Sequence, residues 1–97
     1  MSKYQKYFQE MIEANKELFD KFREIHEKYA QDESANQEEF NRQGEKILEV
    51  IRKYELLLTS KSEGGQYGKF SSGLADKFME QVRSVFPRID FVGVKND

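Results

Sequence analysis

The chain contains no cysteine, one histidine and one proline among 97 residues. Without cysteine there is no disulfide framework, no thiolate metal site and no thiol nucleophile. The lone histidine, His26, stands in no HExxH pattern, and no GxSxG serine motif occurs. No Glu-x-x-His pair recurs on two segments, as a di-metal helical bundle requires. Acidic and basic residues nearly cancel, leaving a net charge of −2. No overall basic field therefore draws in nucleic acid or an anionic membrane. No apolar run approaches the roughly 18 residues of a membrane span. Lys3, Gln5 and Lys6 interrupt any secretory core at the N-terminus. These absences point away from an enzyme, from a metal or organic cofactor and from a membrane protein, and they leave the cytoplasm as the default location.

What the chain does have is aromatic residues in register. Its 37% apolar and 35% charged composition is that of long, solvated helices rather than of a thick globular core. Eight Phe and five Tyr fall at periodic positions, which argues against disorder. Tyr4, Phe8, Met11, Asn15, Leu18, Phe22, Ile25 and Tyr29 alternate steps of four and three, a heptad seam that only a helix brings to one side. A second row, Tyr7, Ile12, Phe19 and His26, widens that face. The pattern predicts one helix over about residues 2–30, with Ser2 as N-cap. Asn15 is the polar member of the seam; such a residue either fixes register and oligomeric state or turns out to solvent.

A second seam, Phe40, Gly44, Ile47, Ile51, Tyr54 and Leu58, predicts a helix over about 35–59, broadened by Leu48, Val50 and Leu57. The polar link Gln31–Ser34 is short enough to join antiparallel neighbours, with Ser34 and Gln37 at capping-box spacing and Asp32 as an alternative cap. Gly44 within the seam implies close approach of another backbone or of a large aromatic from the first helix.

Periodicity stops over residues 60–73, where Gly64, Gly65, Gly68 and Gly73 mark a Gly/Ser loop. Tyr67, Lys69 and Phe70 are set in it. A phosphate-binding loop would need glycine where Glu63 stands, a hydroxyl residue where Phe70 stands, and a preceding strand. A third helix over about 72–86 carries Leu74, Phe78, Val82, Val85 and Phe86, and Pro87 stops it. The tail, 87–97, is apolar and β-prone but has no strand to pair with, so it is expected to pack in extended form over the bundle; pairing with a second copy or another protein is the alternative.

The expected architecture is thus a single all-α domain: a long antiparallel helical hairpin with coiled-coil-like seams, a shorter third helix and an extended C-terminal tail. Its two long faces are wider than one short helix covers, and leftover apolar surface marks an interface. The functional expectation is a non-enzymatic protein–protein interaction or self-association module, with a twofold homodimer the simplest closure. Tyr7, Phe19, Tyr29, Val50 and Leu57 are the expected partner-facing residues. The alternative is an anion- or nucleic-acid-binding module built on Tyr67, Lys69 and Phe70 at the start of the third helix. Lys77, Arg83 and Arg88 add charge there, but Asp76, Glu80 and Asp90 dilute it.

Overall fold

Every regular element in the computed structural model, which describes residues 2–60 and 68–94, is helical. The order is α1 (Lys3–Ala14), α2 (Lys16–Gln31), α3 (Glu33–Ser60), α4 (Gly68–Val85) and a 3-10 turn over Ile89–Phe91. The all-α expectation holds, but the expected first helix is two helices. None of the described helices is long and apolar enough to cross a membrane.

The break falls at Asn15, and its side chain explains it. Asn15 sits at φ −126°, ψ 37°, outside helical space. Its Nδ2 donates to the Met11 carbonyl at 3.0 Å, and its own backbone N–H reaches the same oxygen at 3.2 Å. A short amide that bonds its own backbone competes with the helical ladder. Asn15 therefore neither fixes a continuous seam nor simply turns to water. It ends α1, and Phe19 and Phe22, not Leu18 and Phe22, are the buried pair beyond it. At the other end of α1, Ser2 does cap as expected: its Oγ accepts the Gln5 N–H at 3.4 Å, while Gln5 Oε1 accepts the Ser2 N–H at 3.0 Å.

Asp32 alone separates α2 from α3. Its Oδ1 accepts the Ala35 N–H at 3.2 Å, so Asp32 caps α3 rather than Ser34. Asn36 closes the other side of the corner, donating to the Lys28 and Asp32 carbonyls at 3.0 and 2.9 Å. Orphan groups at both helix ends are thus satisfied by side chains of the turn itself. A one-residue joint returns α3 along α2 and α1, and it packs on both. The helical hairpin is therefore present, with a bent first arm.

α4 begins at Gly68, inside the expected loop, and packs against α1 and α3. Phe8 and Phe78 meet edge-on at 6.2 Å between ring centres. Farther along, Phe86 lies 5.0 Å from Phe22 and 6.1 Å from Phe19, and Phe22 stacks on Phe40 at 5.4 Å. Tyr29 lies flat on Phe40 at 3.9 Å. This run of rings is the spine of a rod measuring 46 × 28 × 18 Å. Each such aromatic taken from water contributes about 1.5–3 kcal/mol. Because α4 ends at Val85, it leaves the far end of the α2–α3 pair uncovered. The tail fills that place, not as an extended strand but as the 3-10 turn, with Ile89 buried and Val92 half-buried.

Candidate functional site

The expected partner-facing residues divide once they are placed. Phe19 is 1% exposed and Tyr29 2%, so both belong to the core and neither faces a partner. Phe86 stacks on Phe19 at 6.1 Å, and Phe91 of the C-terminal tail lies 6.5 Å from the Tyr29 ring. Tyr7 and Val50 are half-buried against the core. Leu57 is 37% exposed, and beside it Leu56 is 69% exposed, the most exposed large apolar side chain among the described residues. Val50 and Leu57, seven positions apart, share one side of α3, whereas Leu56 points away from the core. Tyr67 lies outside the described residues. Lys69 and Phe70 lie in the first turn of α4, and their side chains also lie outside what is described.

A second feature, at the opposite end of α3, is polar and more elaborate. Gln37 is buried, and its amide serves two elements. Its Oε1 accepts the Tyr29 hydroxyl at 2.8 Å; its Nε2 donates to Asn41 Oδ1 at 2.8 Å and to the Phe91 carbonyl at 3.2 Å. Asn41 in turn accepts the Gly93 N–H at 2.7 Å and donates to the Val94 carbonyl at 2.9 Å. Two amides one turn apart on α3 thus hold the main chain of the tail. One further turn along, at Gly44, the missing side chain leaves a notch for Val92: a Cβ built there would lie 2.5 Å from a Val92 methyl. The close approach expected at Gly44 is real, but its source is the tail and not an aromatic of the first helix.

His26 supplies a fourth anchor. Its Nε2 accepts the Arg88 backbone N–H at 3.2 Å, which places the ring proton on Nδ1. The Phe22, Phe40 and Phe86 rings surround it at 6.0, 6.0 and 5.6 Å. Burial lowers its pKa below the usual 6.5, and the Arg88 guanidinium lowers it further, against a smaller upward pull from Glu27. Arg88 is itself paired with Glu33 at 2.7 Å. The folded protein therefore takes up the proton less readily than the unfolded chain. Stability from this site is full above the unfolded value of 6.5 and is lost as pH falls below it toward the lower folded value. We expect thermal melts from pH 7.5 to pH 5 to show this loss, and His26→Gln to flatten it. Asp90, whose pKa is held down by its hydrogen bond to Arg83, acts only at lower pH, so the two windows separate.

Among the described residues no cluster of three His, Asp or Glu side chains could hold a metal ion. Comparison with family models, with curated proteins and with solved structures yields no match. Sequence reasoning set Gln37 in a capping box with Ser34 and passed over Asn41, because an amide at helical spacing reads as a solvated residue. The available signal was their i, i+4, i+7 register with Gly44, one row of small or amide side chains along the helix.

Proposed function

We propose that this chain is a non-enzymatic interaction module that associates with its own second copy through the end of α3. The observation that carries the reading is the 69% exposure of Leu56 on a helix whose core face is already filled by Ile51 and Leu58. Contiguous apolar surface outside a closed core marks contact surface. Val50 extends the Leu57 side of the patch by two turns. Two such helix ends meeting about a twofold axis would cover both leucine pairs with one self-complementary contact.

The test is mass against concentration by light scattering or sedimentation, with Leu56→Asp alongside. The unmodified chain is expected to gain mass as concentration rises, and Leu56→Asp to abolish the gain. At 69% exposure Leu56 contributes little to the fold, so the same variant is expected to shift stability by no more than about 0.5 kcal/mol. A mass that stays that of one chain at every concentration would overturn the reading, as would an unchanged gain in Leu56→Asp.

A further inference from the structure

The C-terminal tail is held by two separate sets of bonds. One set ties it to the end of α4: the Ile89 N–H donates to the Phe86 carbonyl at 3.0 Å, and Asp90 pairs with Arg83 at 2.9 Å. The other set ties it to α2 and α3. It comprises the Arg88 N–H on His26, the Arg88 guanidinium on Glu33, the Phe91 carbonyl on Gln37, the Gly93 and Val94 main chain on Asn41, and Val92 in the Gly44 notch. Of the groups in this second set, His26 is the one whose ordinary titration falls between pH 5 and 8. It also sits at the root of the tail, and it holds the tail as an acceptor.

We propose that His26 is a proton-operated latch: its protonation loosens the seat on α2 and α3, so that residues 88–94 open locally while Phe86 stays in the core. Protonation turns Nε2 from an acceptor into a donor that faces another donor, the Arg88 N–H. Both ring nitrogens then carry protons, so no rotation of the ring restores the bond. The Phe22, Phe40 and Phe86 rings around it offer no polar acceptor. The charges that face the ring are Arg88 of the tail, which repels the imidazolium, and Glu27 of its own helix, which attracts it more weakly. Glu33 of α3 is already engaged by Arg88, Arg23 of α2 lies over the Phe86 ring, and Arg83 of α4 is paired with Asp90. The closed seat thus binds the proton less readily than the open one, and opening gains as pH falls below 6.5. One proton shifts the opening constant by at most about tenfold per pH unit. The bonds to α4 limit the excursion and favour return when the proton leaves. Acid therefore uncovers the Gln37 and Asn41 amides and the notch at Gly44, at the end of the rod opposite Leu56. The latch does not rest on self-association and is expected unchanged in Leu56→Asp.

The test is amide exchange of the unmodified chain between pH 7.5 and pH 5, corrected for the intrinsic pH dependence of exchange. Two amides report on the seat: Arg88, bound to His26, and Gly93, bound to Asn41. Both are expected to lose protection together as pH falls, while amides around Ile51 stay far better protected at every pH. His26→Gln, whose amide oxygen accepts the Arg88 N–H at any pH, is expected to abolish the slope at both reporters. Asn41→Ala is expected to lower protection of the tail at every pH and to keep the slope. Flat protection at Gly93, with the pH dependence confined to the deeply protected amides of α3, would mean that the proton is felt only in global unfolding and would overturn the latch. Loss at Arg88 alone would also overturn it, by showing one bond broken and the tail still seated. So would a slope at Gly93 that survives His26→Gln.

Discussion

Phe40→Ala is expected to cost about 3–5 kcal/mol, the range for truncating a fully buried aromatic. Phe40 has no exposed surface. It is also the one ring that stacks on both Phe22 and Tyr29, at 5.4 and 3.9 Å, and it borders His26 at 6.0 Å. Its removal therefore leaves a cavity whose walls are stiff rings rather than flexible aliphatic chains, and such walls collapse poorly. A domain of this size has about 5–15 kcal/mol of stability in total. The loss is thus a large share of the whole, and chemical denaturation is expected to show a midpoint shift with an unchanged slope. Leu48→Ala, at a half-buried flank of the same helix, is the fair control and should lose much less. A shift no larger than that control would mean the aromatic spine is not what holds α2 to α3.

The helical class and the antiparallel return of α3 were legible because they depend on repeating apolar residues, and repetition survives small local errors. Phe8, Met11, Phe22, Ile47, Ile51 and Leu58 all lie where the seams place them, in the core. What was not legible came from single polar side chains. Asn15 occupies a seam position, and no periodicity reveals that its amide will take the Met11 carbonyl and that the helix will break there. Phe19 left the expected contact surface because Phe86, just past the end of α4, covers it at 6.1 Å. Tyr29 was misplaced for a different reason. Its cover comes from a tail more than fifty positions away, and residues 88–94 carry a β-prone pattern that gave no hint of a 3-10 turn. Leu56 was overlooked because a residue opposite the seam enters no stripe. The candidate surface is therefore what remains once the core, as built, has taken its residues.

Gly44→Leu tests the most specific of these long-range contacts. Alanine at this position already brings a Cβ to 2.5 and 2.7 Å from the two Val92 methyls, where no real contact sits. Against that, alanine in a helix interior is better than glycine by about 1 kcal/mol, while overpacking typically costs about 1–3 kcal/mol. The two nearly offset, so Gly44→Ala is expected to move the tail more than the melting point. Leucine cannot be absorbed by a shift of tenths of an ångström. It should expel Val92, and with it the Gly93 and Val94 contacts to Asn41 and the buried Ile89, whose exposure alone costs about 1.5–3 kcal/mol. Amide exchange is expected to accelerate at residues 89–93 while α3 around Ile51 stays protected. Val92→Ala in the Gly44→Ala background isolates the contact: the double variant should lose less than the sum of the singles, by about 0.5–3 kcal/mol of coupling. Strict additivity would mean that the notch and the valine are neighbours without being partners, and that the amides of Gln37 and Asn41 alone hold the tail in place.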